Sequence, residues 1–253
     1  MAHTFNEYFT ELGPKTESSI PHNPVIKPVN YLKNRIPVEF AIAHTSNEEI
    51  LEILRTLENK STGPSSIPIK LLKLIPDLII VPLANIINTS FTYGTFPDKL
   101  KISKVIPIHK RDSTENLANY RPISLLSVSD KLIEKLMHKR LYGFLDQNNI
   151  LFKNQFGFRK GSSTAQALTN ITERLKESID DHKIGCGVFI DLSKAFDTVN
   201  HKILLLKLEH YGIRGTSLRW FESYLSNRNS MFISIVNHQI YYQLHVVFLR
   251  DQC

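Results

Sequence analysis

The residues best suited to chemistry lie in one segment, GVFIDLSKAFDTVNH, from Gly187 to His201. The apolar run from Cys186 to Ile190 has the character of a strand and leads straight into Asp191, with an aromatic residue, Phe196, five positions later. A carboxylate fixed at a strand end can hold Mg²⁺, a hard cation that prefers oxygen ligands, and a metal so held can clamp an attacking 3′-oxygen and a departing pyrophosphate. An aromatic ring just beyond it would lie under a sugar and exclude a 2′-hydroxyl. Taken alone, the segment favours a plainer reading, a strand-to-helix turn with Asp191 as N-cap and Phe196 as core.

The elements that must position these residues can be read along the chain. Residues 1–45 carry Pro14, Pro21, Pro24, Pro28 and Pro37 and read as linker. Ser46 and Glu49 form a capping-box pattern, Ile50, Leu51, Leu54 and Leu57 follow at helical spacing, and Gly63-Pro64 is expected to stop that helix. A second apolar helix runs from Pro76 to about Tyr93, with Gly94 as its C-cap. Lys104 to Ile108 alternates like a strand and enters a turn at Lys110-Arg111-Asp112. Leu132, Ile133, Leu136, Met137, Leu141, Phe144 and Leu145 mark one apolar helix face, and Leu168, Ile171, Leu175 and Ile179 mark another, opened by a second capping box at Ser163 and Gln166. Short helical patterns follow around Leu204 and Trp220, then a strand from Met231 to Val236. Helices and strands mix without a βαβαβ rhythm, so the α+β class is expected.

At 253 residues with 42% hydrophobic content the chain can bury a core. Thirty-one Lys and Arg against twenty-four Asp and Glu give a net charge of +7, which favours a polyanionic partner without requiring one. Cys186 and Cys253 have neither CxxC spacing nor a histidine cluster, so no disulfide framework or zinc site is indicated. The N-terminus lacks an apolar signal core and no apolar run is long enough to span a bilayer. An intracellular setting without a membrane is expected, nucleus or cytoplasm being left open.

Three blocks, NYRPISLLSVSDKLIEKLMHKRL (Asn119 to Leu141), NQFGFRKGSSTAQAL (Asn154 to Leu168) and VFIDLSKAFDTVNH (Val188 to His201), resemble non-LTR reverse transcriptases of the LINE and jockey kind, in the same order and at similar spacing. Upstream, KSTGPSSIP (Lys60 to Pro68), the run from Asn88 to Asp112, and FNEYF near the start are similar to the finger-extension blocks and preceding linker of such elements. The resemblance covers residues 5–238 and implies a right-hand polymerase fragment without a thumb. Its parts are a linker at 1–45, a helical finger extension at 46–115, fingers and the start of the palm at 116–182, and a partial palm sheet at 183–238.

Position by position, the resemblance implies that Lys104 and Lys110 are basic positions of the first fingers motif, and that Arg121 contacts the incoming triphosphate, where a planar guanidinium binds phosphate oxygens bidentately. For each of these a solvated surface charge is the competing reading. Gln155, Gly157, Phe158 and Arg159 match the segment beside the template and nucleotide pocket. Gly157 there would admit a close backbone approach, though it also suits an ordinary loop before a helix. Asp191 and Leu192 fall at the Mg²⁺-binding positions with Asp191 catalytic, Phe196 at the position that selects deoxynucleotides, and Asp197 at a structural one. The implied partners are an RNA template, a DNA primer and dNTPs.

A chain of this family is expected to continue after the Met231 to Val236 strand with a GVPQGS-like block and an (F/Y)xDD hairpin, yet only Asp251 lies downstream. Residues 239–253 look out of frame, and QLHVVFLRDQC is expected to form no stable secondary structure. If Leu244 to Cys253 is encoded TTA CAT GTG GTG TTC CTC AGG GAT CAG TGT, starting one base earlier, on the G of a CAG codon for Gln243, gives VTCGVPQGSV, which contains the missing block. Codons that cannot be re-read so would end the idea. One aspartate cannot hold two metal ions roughly 4 Å apart, so the chain is expected to be truncated and inactive in polymerisation. A non-catalytic RNA-binding remnant and a translated transposon relic without function are the alternatives.

Overall fold

Ser46 begins the first helix as its sequence suggests. Its side-chain oxygen accepts from the Glu49 amide at 3.2 Å, and α1 (Asn47–Thr56) buries Ile50 and Leu54. The reciprocal half of the expected capping box is replaced, because the Glu49 carboxylate is drawn to Arg140 at 2.7 Å. The structure is a computed structural model that describes residues 4–9, 11, 15, 28–32, 35–58, 63–64, 67–192, 195–196, 199–236 and 239–246. It divides into two compact units, Tyr142–Ser193 and the remainder.

In the larger unit, α1 ends at Leu57 rather than at Gly63-Pro64, and Lys73 caps its C-terminus by donating to the carbonyls of Arg55 and Leu57. Gly63 has a different task. Its N–H donates to the Leu126 carbonyl at 3.1 Å, and a Cβ there would lie 2.5 Å from the Leu126 carbonyl carbon, so only glycine permits this backbone approach. After a short α2 (Ile69–Leu74), α3 (Pro76–Tyr93) ends as expected on Gly94, whose φ of +65° suits glycine.

The core forms where α3 meets the C-terminal helices. These are α6 (His201–His210) and α7 (Gly215–Leu225), named here after α4 (Val128–Gln147) and α5 (Thr164–Asp180), which precede them in the chain. Trp220 on α7 is fully buried, stacks on Tyr224, meets Phe91 and Phe96 edge-on, and donates its indole N–H to Ser90 Oγ at 2.9 Å. That bond satisfies the single polar atom of a ring otherwise committed to apolar packing. Leu132, Ile133, Leu136 and Met137 bury the expected face of α4. Residues within the stretch read as linker also pack here: Ile36 and Phe40 donate their amides to the carbonyls of His210 and Gly212, and Ser217 Oγ donates to Phe40 O at 2.8 Å.

The sheet of this unit has the order β2-β1-β3-β4, built from β1 (Ile102–His109), β2 (Tyr120–Leu125), β3 (Asn229–Val236) and β4 (Gln239–Val246). β1 pairs antiparallel with β2 and parallel with β3, and β3 pairs antiparallel with β4. Pro107 faces Pro122 across the β1/β2 ladder. The Lys110 amide donates to the Asn119 carbonyl at 2.7 Å, so bonded pairs fall at every second position from there and the proline pair occupies a non-bonded site, where neither would have donated. Pro107 therefore lacks its N–H on the β3 side, where the parallel register stops at Val105↔Phe232, and Pro122 lacks its own on the outer edge of β2. β4 corrects the expectation that residues 243–253 form no secondary structure: it extends to Val246, and residues 247–253 lie outside the described residues.

In the smaller unit, the Ser163 and Gln166 capping box forms in full, with side chain and amide exchanging bonds of 2.8 and 3.3 Å. The helix it opens, α5, was legible; its burial was not. Leu168, Ile171, Leu175 and Ile179 are all exposed, because no layer among the described residues of this unit covers that face. The expected strand from Cys186 to Ile190 is absent: residues 183–192 adopt no regular structure, and Val188, Phe189 and Ile190 are more than 80% exposed. An apolar run becomes a strand only when a neighbouring strand takes up its amides and carbonyls, and none of the described residues does so.

Candidate functional site

The register of β1 and β2 gathers three of the candidate basic residues. Alternation along β1 places Ser103 and Val105 on one face, both fully buried, and Lys104, Ile106 and Ile108 on the other. The buried face is covered by the N-terminal helical segment at residues 4–9, where Phe5 packs on Val105 and meets the Tyr120 ring edge-on at 4.7 Å. On the opposite face Leu125, Ile123 and Arg121 stand across from Lys104, Ile106 and Ile108. Because Lys110 extends the ladder opposite Asn119, Arg121 is its diagonal neighbour on the same face, a relation that spans about 7–8 Å in antiparallel pairs. Lys110 and Arg121 are exposed and Lys104 half-buried, and among the described residues no carboxylate pairs with any of the three. Two cationic heads at one end of a hairpin, with a third further along the same face, can grip a polyphosphate.

The second group, Gln155, Gly157, Phe158 and Arg159, lies on the loop between α4 and α5. Arg159 is tied into that loop, donating to the Phe152 carbonyl at 2.9 Å and to Asp146 Oδ1 at 3.2 Å. Gln155 Nε2 donates to the Gly157 carbonyl at 3.1 Å. Gly157 has an ordinary φ and open space where a Cβ would stand, so nothing in its own chain requires glycine there. Phe158 is 77% exposed at a φ of +58°.

The third group departs from both sequence readings. Asp191 is exposed in an irregular stretch and does not end a strand. Neither is it an N-cap: the next helix is capped by Asn200, whose side chain accepts from the Ile203 amide at 3.0 Å. Phe196 is 58% exposed in a turn, so it is not core, and Leu192 is 71% exposed. Asp197 lies outside the described residues. Asp191 and the Leu192 carbonyl are oxygen donors of the type Mg²⁺ prefers, but no group of three His, Cys, Asp or Glu side chains gathers among the described residues. The donor set therefore fits such an ion in kind and falls short in number.

Sequence reasoning missed the most elaborate polar centre of the larger unit. Arg140 donates to the carbonyls of Ala43, His44 and Leu136 at 2.8–3.0 Å, pairs with Glu49, and lies over the Phe91 ring at 5.5 Å. Glu49 and Arg140 are 91 positions apart, so no local pattern joins them. Burial pushes the Glu49 carboxyl up, but hydrogen bonds from Arg140, Lys139 and Thr45 outweigh it and hold it at about 2.

Comparison with known families decides what the arrangement belongs to. Residues 108–248, more than half of the chain, match the model of the reverse transcriptase (RNA-dependent DNA polymerase) family. The chain belongs to that family. The matched reverse transcriptase segment contains Lys110, Arg121, the 155–159 loop and Asp191, and it reaches through β4. The chain is 35% identical over 192 residues to the probable RNA-directed DNA polymerase from transposon BS of Drosophila melanogaster, which covers 73% of this chain and 20% of that protein. It is 31% identical over 179 residues to the RNA-directed DNA polymerase from mobile element jockey of the same species, covering 70% and 20%. A third relative, the probable polymerase from transposon X-element, is 32% identical over 163 residues, covering 64% and 18%. These relatives agree with the resemblance to non-LTR elements. The reverse transcriptase chain spans about a fifth of the length of the curated relatives it matches. The family binds nucleic acid template and primer and generally uses a divalent metal, and among the described residues no helix is long and apolar enough to cross a membrane.

Proposed function

We propose that this chain forms the finger extension, the fingers and the first part of the palm of an RNA-directed DNA polymerase of the non-LTR kind. In that enzyme the exposed face of the β1/β2 hairpin receives the triphosphate of an incoming dNTP. The observation that carries the proposal is the hairpin register, which makes Lys110 and Arg121 diagonal neighbours on a solvent-facing surface, with Lys104 further along it. Arg121 supplies a planar fork for phosphate oxygens, and the lysines add point charges. Gln155, Gly157, Phe158 and Arg159 border the template, Phe196 favours deoxynucleotides over ribonucleotides, and Asp191 with Leu192 contributes to the Mg²⁺ site. An RNA template paired with a DNA primer is the substrate complex.

Nucleotidyl transfer between two metal ions needs carboxylates from more than one element, and the donor set described above is short of that. The chain alone is therefore expected to bind nucleic acid and nucleotide without joining them. A primer-extension assay with an RNA template, DNA primer, dNTPs and Mg²⁺ is expected to show no incorporation. Extension that disappears in Asp191→Ala would show that this chain carries a working site. The second reading, a non-catalytic RNA-binding remnant, is favoured by the same pairing of a basic hairpin face with an incomplete donor set. Steeply salt-dependent RNA binding, with no effect of Arg121→Ala on dNTP affinity, would select it.

A further inference from the structure

FNEYF, Phe5 to Phe9, lies in the helical segment that covers the buried face of β1. Helical spacing puts Phe5 and Phe9 one turn apart on the same side, where their rings stack at 6.2 Å. Phe5 is buried against Val105, with Phe9, Leu117 and Tyr120 packed around the pair. Tyr120 immediately precedes Arg121. Its place in the ladder opposite His109 puts its ring on the face of Val105, and Arg121 points to the other face. That ring is held in three ways: Phe5 meets it edge-on at 4.7 Å, the His109 ring lies at 5.1 Å, and its hydroxyl donates to the Thr114 carbonyl at 2.9 Å. The last bond reaches into the turn from Lys110 to Asn119, where Asn119 Nδ2 also donates to the Ser113 carbonyl at 2.8 Å. Residues 110–116 are all exposed, so the turn takes its shape from such bonds rather than from burial.

We infer that Phe5 is a positioning residue for the triphosphate face of the hairpin and acts through Tyr120, which rests on the assignment of that face proposed above. Consecutive residues of a strand point to opposite faces, so the height and tilt of β2 at Tyr120 fix where the Arg121 guanidinium emerges. Two cationic heads share one triphosphate only while their separation is held, and ordering an untethered turn at each binding event costs affinity. Phe5 supports the Tyr120 ring from the covered side, and the Tyr120 hydroxyl holds the turn that begins at Lys110. The strand carrying Arg121 and the turn carrying Lys110 thereby share one support. Phe5 lies on the far face of the sheet from both cations, so its influence on a bound nucleotide passes through the hairpin and not through contact.

The test is equilibrium binding of a fluorescent dTTP analogue to the full 253-residue chain assembled with an oligo(A) RNA template and a DNA primer ending in a dideoxynucleotide. Tyr120→Phe keeps the ring on Phe5 and gives up only the bond to Thr114, and is expected to weaken nucleotide binding about fivefold, the worth of one hydrogen bond. Phe5→Leu keeps an apolar side chain in place and loses the edge-on ring contact, with an expected loss of about threefold. Phe5→Ala should lose more, and the two milder variants carry the test if it does not fold. In all of them template and primer should bind as they do to the wild type. Where both cations are already removed, by Lys110→Ala with Arg121→Ala, Tyr120→Phe and Phe5→Leu should change nucleotide affinity by less than about twofold, which general loosening of the fold would not produce. Wild-type nucleotide affinity in both milder variants, an equal loss of template and primer binding, or losses of the same size with and without the two cations would overturn the inference and leave triphosphate binding by the hairpin intact. Arg121→Ala that binds the nucleotide as well as the wild type does would contradict the reading of the hairpin face, and the inference with it.

Discussion

Glu49 gathers Thr45 Oγ1 at 2.8 Å, Lys139 Nζ at 3.0 Å and Arg140 Nη2 at 2.7 Å, and together these join the start of α1 to α4. The folded carboxyl titrates at about 2 against an ordinary value of 4.5, so the folded state favours the ionised form. Its contribution to stability is complete above pH 4.5 and is lost as the pH falls toward 2. Arg140→Ala would leave Glu49 with weaker partners and release three backbone carbonyls, a loss expected to be about 3 kcal/mol in urea unfolding. Arg140→Lys should recover little of it, because an ammonium cannot serve a carboxylate and separate carbonyls in one planar fork. In Arg140→Ala the acid loss of stability should also be smaller and be complete at a pH closer to 4.5. A variant within about 0.5 kcal/mol of wild type, the range of an ordinary surface change, would contradict this account of the centre.

Among the elements, those governed by local signals could be read from the sequence. α3 has Pro76 in its first turn and Gly94 at its end, and α5 has a complete capping box, so both appear within a residue or two of expectation. β2 escaped notice because Pro122 interrupts it, and a proline argues against a strand unless its missing N–H points away from the ladder. The partner that makes it harmless, Pro107, could be identified only once the register was known. The run from Cys186 to Ile190 fails in the opposite sense: it has strand composition and no neighbour, and composition cannot supply one. Gly63 looked like a helix stop and instead admits the backbone at Leu126. Gly63→Ala should therefore cost about 1–3 kcal/mol, seen as a lower melting temperature, because the contact is with backbone that cannot swing aside. An unchanged melting temperature would show that the β2–α4 junction yields easily.

Across the whole molecule, the net charge of +7 allowed a polyanionic partner, while order and spacing of motif blocks indicated which kind. The family match bears out that kinship, and Lys104, Lys110 and Arg121, expected one by one, prove to share a face. The surroundings of Asp191 were not legible, since a metal site is assembled by contacts between distant segments rather than by the segment carrying its first ligand. The hairpin face is thus the part of the proposed enzyme on which the functional account chiefly rests. The measurement that addresses it most directly is equilibrium binding of a fluorescent dNTP to the chain preassembled with an RNA template and DNA primer. Loss of a charge-assisted bidentate contact predicts that Arg121→Ala weakens dNTP binding about tenfold or more, with affinity for the template and primer little changed. Equal dNTP affinity in the variant and the wild type would contradict the assignment of this face to the triphosphate.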